Sequence, residues 1–196
     1  MFARTLLLPG FLLAGLATPV LGQSLAHRPL EPATAPVAAL TSALYNDQAN
    51  LREPTDSAKA ALATEVLRSR LTEQLGAQLV PYPLIDSLAH SSAALELTGG
   101  IPCDVKVACA RMVASQAGAR WVVMTKVSKT SNLIWLLSAQ LIRVSTGEII
   151  LDDSTELKGA PEEMVRVGVR IFADRVARTV RTGGHADDFP NGEPAP

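Results

Sequence analysis

The sequence carries almost no net charge, with 18 Lys and Arg residues against 19 Asp and Glu residues. Proteins that bind nucleic acid or anionic membrane surfaces usually carry a clustered excess of basic residues. This composition favours neither kind of partner, and we expect no nucleic-acid binding.

Histidine and cysteine are also scarce, with three His and two Cys residues. His27 and His185 lie in segments rich in small residues, Gly or Pro, and His90 stands alone, as a solvated or capping histidine does. The sequence has neither a nucleophile-elbow motif nor a phosphate-binding loop. Asp152 and Asp153 are adjacent in a predicted strand and point to opposite faces. We therefore predict no catalytic residues, no metal site and no cofactor.

Long uninterrupted apolar runs are missing as well. A membrane-spanning helix needs ~20 continuous apolar residues, and Pro9 and Gly10 interrupt the apolar stretch near the amino terminus. Arg4, that stretch and the small residues before Gln23 instead form the pattern of a signal peptide over residues 1–22. We expect cleavage after Gly22 and export, to the periplasm in a Gram-negative source, with no stable membrane anchor afterwards.

The remaining chain is long enough for one domain. Residues 23–35 and 181–196 are rich in Pro, small or acidic residues, which predicts a flexible amino-terminal segment and a disordered tail. We expect a single α/β domain over residues 36–180.

Within that domain, helical and strand periodicities alternate. The segment 55–75 starts at Thr55, a favourable N-cap, and 161–180 places Val165, Val169 and Phe172 on one face. Shorter helical segments are predicted at 85–97 and 104–118, and strands at 36–45, 78–85, 119–129, 131–145 and 148–159. The predicted order is β-α-β-α-α-β-β-β-α.

Particular residues within this order of elements also resemble those of a known family. Gly118-Ala119-Arg120 leads into a strand, the next strand contains Ala139-Gln140-Leu141-Ile142, and Thr146-Gly147 forms the turn. The stretch from residue 118 to 159 resembles the amino-terminal domain of the translocation protein TolB and its relatives in envelope assembly. The chain is also similar to secreted proteobacterial proteins grouped as a domain of unknown function, through KVSKTSNLI and the nearby cysteine pair.

The TolB resemblance implies an α/β (α+β) fold. We expect a mixed, mainly antiparallel sheet of about five strands, with the long helices 55–75 and 161–180 packed together on one face. The propeller of TolB has no counterpart in this chain, so the resemblance implies a fold and no activity.

Cys103 and Cys109 are expected to form a disulfide, because an exported chain matures in an oxidising compartment. A continuous helix through both would separate them by ~9 Å along its axis, beyond the ~7 Å limit between bridged Cα atoms. A bridge therefore requires the helix to begin after about Lys106. A redox-active pair would favour C-x-x-C spacing, and a zinc site would need further ligands.

Side-chain alternation gives the ribbon after residue 120 two faces. One face carries Trp121, Val123, Thr125, Val127, Trp135, Leu137, Ala139 and Leu141, and we expect the helices to bury it. The other face carries Val122 and Ile142 together with Met124, Lys126, Ile134, Leu136 and Gln140, the last five of which we take as a candidate docking face. Either another part of the chain covers this face or a partner does.

Two functions are consistent with these features. The first is a non-enzymatic secreted or periplasmic module that binds another envelope protein through its sheet face or an edge strand. The alternative is a periplasmic small-molecule-binding protein or enzyme with a cleft near residues 128–133, between that segment and the helix after Cys109.

Overall fold

A computed structural model describes residues 35–46, 53–100, 103 and 106–184. The predicted signal peptide and most of the two predicted terminal segments lie outside these residues. No helix of the described part is both long and apolar enough to cross a membrane. The elements are β1 (Val37–Ala39), β2 (Ala43–Asn46), α1 (Asp56–Leu75), α2 (Tyr82–Ala89), α3 (Ser92–Thr98), α4 (Val107–Gln116), β3 (Trp121–Lys129), β4 (Trp135–Arg143), β5 (Ile149–Leu157) and α5 (Pro161–Arg181).

The strands form one mixed sheet of five strands around β3. β1 and β2 both pair in parallel with β3, β1 near its beginning and β2 near its end. β4 pairs antiparallel with the other side of β3, and β5 pairs antiparallel with β4. The predicted fold class is therefore confirmed.

Two strand predictions differ from the structure. The stretch 36–45 is two strands, because the chain leaves the ladder at Leu40, whose side chain is buried in the core under α2 and α4. The predicted strand 78–85 is wrong, since only Leu79 forms a bridge there, with Val37. α2 begins at Tyr82, with proline in its first turn, where the missing N–H costs no helical hydrogen bond.

α1 and α5 pack side by side on one face of the sheet, as predicted. The face expected to be buried does lie against them, with the exposure of Trp121, Val123, Val127 and Leu141 near zero. Burying one such side chain stabilises the fold by ~1.5–3 kcal/mol. This interface is the larger of the two hydrophobic cores.

The second core lies on the opposite face, beneath α2, α3 and α4. Cys103 and Cys109 form the predicted disulfide within it, with 5.5 Å between their Cα atoms. α4 begins at Val107, as the bridge requires. The disulfide therefore fixes the start of the helix that covers the beginning of β3.

A buried ion pair joins α1 to the end of β3. The Lys129 ammonium donates to both carboxylate oxygens of Asp56 at 3.1 Å, and the two side chains are 2% and 1% exposed. Thr55 occupies the predicted N-cap position without a side-chain capping bond. Asp56 instead accepts a 2.8 Å hydrogen bond from the Glu53 amide. The pair thus holds the first turn of α1 against the sheet.

The protonation of Asp56 reflects these contacts. Burial raises the pKa of its carboxyl group, but the Glu53 amide and the Lys129 ammonium outweigh burial, and the pKa lies below its ordinary value. A carboxyl group whose pKa is lowered on folding stabilises the fold above its unfolded pKa, about 4, and loses that contribution as pH falls through the folded pKa.

We predict that Lys129→Met destabilises the domain by ~3–5 kcal/mol, because Asp56 is left as an unpaired buried charge. Urea unfolding at pH 7, compared with the parent, measures this difference.

The control is the double variant Asp56→Asn/Lys129→Met, which removes both charges and should recover much of the lost stability. It should also lack the part of the parent's acid sensitivity below about pH 4 that comes from Asp56. A single variant as stable as the parent would mean that the pair does not hold α1 in place.

Candidate functional site

The candidate docking face is divided into a covered half and an open half. Met124 is 6% exposed, while Val122 and Ile142 are fully buried, because α2 and α4 lie over this end of the sheet. The assignment of Met124 to a docking face is therefore wrong. For this half of the face, the structure supports the alternative of cover within the chain.

The open half of that face carries both polar and apolar side chains. Lys126, Leu136 and Gln140 are half-buried there, and Ile134 is 41% exposed at the start of β4. Gln140 donates a 3.1 Å hydrogen bond to Asp152 on β5. Ile134 and Leu136 are neighbours on this face, and Tyr45 of β2 lies near them, opposite Ser128. Lys126, Ser138 and Gln140 share the same surface, so the open half mixes apolar and polar side chains.

The cleft proposed near residues 128–133 is not formed as predicted. α4 packs at the beginning of β3, beside Val122, whereas that segment starts with the last two residues of the same strand. The six residue steps from Val122 to Ser128 span roughly 20 Å. Lys129 is held in the buried ion pair, and Thr130 and Ser131 hydrogen-bond to Ile134 across the turn. The segment and α4 therefore cannot enclose one site.

An apolar groove lies on the other face, along the outer flank of α5. It has a volume of about 280 Å³ and is open to solvent along part of its surface. Its lining residues come from β4, β5 and α5, namely Leu137, Ala139, Asp153, Thr155, Glu163, Met164, Val167, Gly168, Ile171 and Phe172. We call this feature the α5–β5 groove.

The helical wall of the α5–β5 groove is exposed and apolar. Val167 is 48% exposed and Ile171 56% exposed, and Met164 lies one turn before them. The spacing of three and four residues places these three side chains on one flank of the helix. α5 therefore has a second apolar stripe beside the one that packs on the sheet.

Gly168 allows α5 to approach the sheet closely. A Cβ atom at this position would lie 2.9 Å from Cδ2 of Leu137, which is closer than packed carbon atoms approach. Glycine costs roughly 1 kcal/mol relative to alanine within a helix. Its absent side chain lets the helix lie close to β4 and leaves the groove floor unfilled.

The strand wall of the groove belongs to an edge strand. Within the described residues, β5 pairs with β4 on one side and with no strand on the other. Leu151 and Leu157 are buried near its two ends, whereas Asp153 and Thr155 between them face the groove. The carboxylate of Asp153 accepts a hydrogen bond from the Arg175 guanidinium on α5. An apolar groove and an open backbone edge thus lie side by side.

Sequence reasoning missed this groove because it assigned α5 a single apolar face. Met164, Val167 and Ile171 are visible in the sequence as apolar residues outside the stripe of Val165, Val169 and Phe172. An apolar arc wider than one helix–sheet contact needs is a signal of a second contact. Among the described residues, no group of three His, Cys, Asp or Glu side chains is placed to hold a metal ion.

The family model DUF3280, described as "Protein of unknown function (DUF2380)", matches residues 35–176. The chain belongs to this family. The expectation of a family of unknown function is therefore confirmed. No curated protein matches the sequence significantly.

Several solved structures are similar to the chain. The LpoB C-terminal domain from Escherichia coli is 25% identical, with 64% of this chain and 84% of that chain covered and a TM-score of 0.44. TolB from Acinetobacter baumannii is 14% identical, with 79% and 30% covered and a TM-score of 0.40. The PelC dodecamer from Paraburkholderia phytofirmans is 17% identical, with 80% and 92% covered and a TM-score of 0.34.

We predict that the two halves of the divided sheet face respond differently to a charge. Met124→Asp should destabilise the domain by at least ~3 kcal/mol, because the carboxylate would be buried without a partner. Leu136→Asp, on the open half, should cost about 1 kcal/mol. Urea unfolding of both variants measures the difference, and equal losses would contradict the division of the face.

Proposed function

We propose that this protein is a non-enzymatic module, periplasmic or secreted, that binds another protein of the cell envelope along α5 and β5. The observation that carries the proposal is the α5–β5 groove, where exposed Val167 and Ile171 lie beside the edge of β5 that pairs with no other strand of the described residues. Exposed apolar residues that line a groove are typical of sites for protein partners. The signal-peptide pattern at residues 1–22 supports the envelope location.

The charged groups of the domain support a role without catalysis. Asp56 pairs with Lys129, Asp86 with Arg68, and Asp174 with Arg70. Each of these contacts joins two different elements of the fold, so these carboxylates have structural partners. Of the two carboxylates that line the α5–β5 groove, Asp153 is held by Arg175 and Glu163 lies in the first turn of α5.

Of the two expected binding surfaces, the sheet face and an edge strand, the α5–β5 groove favours the edge strand, β5. The open half of the opposite face mixes Ile134, Leu136 and Tyr45 with Lys126, Ser138 and Gln140, so a partner would meet polar groups there as well as apolar ones. The wall formed by Met164, Val167 and Ile171 is continuous over two turns of α5. A partner segment in this groove would bury those side chains and could also satisfy the free edge of β5.

We predict that Val167→Asp/Ile171→Asp abolishes partner binding while the domain remains folded, because both side chains are exposed in the free protein. Tagged parent and variant proteins would be used to capture proteins from an envelope extract of the source organism. At least one protein captured by the parent should fall at least tenfold with the variant.

Leu84→Asp/Leu97→Asp is the matched control, since Leu84 on α2 and Leu97 on α3 are 44% and 45% exposed, away from the groove. It introduces the same chemical change and should leave capture intact. Thermal unfolding of each protein verifies that the variants are folded. If the double variant captures every protein that the parent captures, the groove is not the binding site.

A further inference from the structure

The open edge of β5 and the α5–β5 groove could be occupied together by an added strand. A strand that pairs with β5 would direct alternate side chains to the two faces of the sheet. On the helical face, those side chains would lie beside Val167 and Ile171. On the opposite face, they would lie beside Asp152, Ser154 and Glu156, all of which are exposed.

The two faces of the sheet beside β5 would therefore bind different side chains of an added strand. Val167 and Ile171 offer apolar contacts, whereas Asp152 and Glu156 offer carboxylates. Glu156 has a 3.2 Å contact with Lys158, but that lysine side chain is 72% exposed. An exposed pair of this kind contributes little stability, so it would cost little to replace Lys158 with a basic residue of a partner.

A second copy of this chain fits the edge poorly in the registers that centre on Asp153 or Ser154, in the middle of β5. Three of the nine residues of β5 are acidic. A twofold axis at Asp153 would place that side chain opposite its own equivalent, and an axis at Ser154 would place Asp152 opposite the equivalent of Glu156. Parallel pairing in register would repeat each contact between like charges. Like charges directly opposite each other destabilise strand pairs.

Acidic side chains on an edge strand also protect it from self-association. A basic partner would turn this protection into attraction, so the same charges would reject one occupant and select another. We propose, building on the protein-binding function above, that the occupant is an extended segment of a different protein with alternating apolar and basic side chains. Its backbone pairs with β5, its apolar side chains enter the α5–β5 groove, and its basic side chains contact Asp152 and Glu156.

Synthetic peptides of nine residues test this proposal on the purified mature protein, by fluorescence anisotropy. A peptide that alternates valine and lysine should bind at least tenfold more tightly than one that alternates valine and glutamate. It should also bind at least tenfold more tightly than a peptide in which the same valines and lysines are segregated into two blocks. Equal binding of the three peptides would overturn the proposal.

Methylation of backbone nitrogens tests strand pairing separately from side-chain chemistry. Methylating alternate residues in one frame removes the N–H groups of one edge of the peptide. One frame should weaken binding at least tenfold and the other should be tolerated, because only one edge pairs with β5. If neither frame weakens binding, the peptide does not add a strand and the proposal fails.

Charge reversal provides the matched variants. Asp152→Lys/Glu156→Lys should reverse the preference, so that the valine and glutamate peptide becomes the tighter ligand. Glu65→Lys/Glu96→Lys makes the same change in net charge at exposed positions outside the groove, and should retain the preference for lysine. An unchanged preference in the first variant would overturn the proposal.

Two further results would reject the proposed basic strand partner but would leave the proposed protein-binding function intact. A dimer of the purified protein that Asp152→Lys/Glu156→Lys alters would mean that β5 serves a second copy. Failure of every peptide to bind would mean that the acidic edge only protects the strand. In either case, loss of envelope capture by Val167→Asp/Ile171→Asp would still support binding at the groove.

Discussion

The central strand β3 has to be protected from water on both faces where it begins. Trp121 and Val123 point to one face and Val122 and Met124 to the other, and all four are buried. A single layer of helices could cover only one of these faces. The domain therefore has two cores, one under α1 and α5 and one under α2, α3 and α4.

The need to shield the second face of the sheet from water decreases along β3. Lys126 faces the open half of the second face, so the short helices α2 to α4 need to extend over only the first part of the strand. At the other end, Lys129 is buried against Asp56, which fixes the first turn of α1 to the sheet. With α1 held there, α5 packs beside it, and Gly168 of α5 lies directly against Leu137 of the sheet. The middle of β5 is left outside this cover, beside an exposed flank of α5.

The sequence was sufficient for the features that depend on local periodicity. The alternation around Trp121 predicted which face meets the long helices, and the spacing of Cys103 and Cys109 predicted where α4 begins. Residues 78–85 were mistaken for a strand because the apolar run is short, and the periodicity of so short a run does not distinguish a strand from a helix. Such runs are decided by their tertiary surroundings.

The location of the candidate site could not be obtained in the same way. Met124 and Leu136 have the same alternation and similar hydrophobicity, but one is under α2 and α4 and the other is not. That difference depends on how far three short helices extend across the sheet, which no local pattern encodes. Met164, Val167 and Ile171 are visible in the sequence as apolar residues of α5. Recognising them as one wall of a groove required knowing that β5 is an edge strand.

We propose that this domain binds its partner along α5 and β5. Photo-crosslinking in living cells of the source organism tests this placement most directly, with a photoreactive phenylalanine analogue in place of Thr155 on β5 or, for comparison, in place of Leu97 on α3. Both positions are exposed in the free protein. The account predicts a discrete crosslinked product of higher mass from position 155 that is missing from position 97. A product from position 97 and none from position 155 would contradict it.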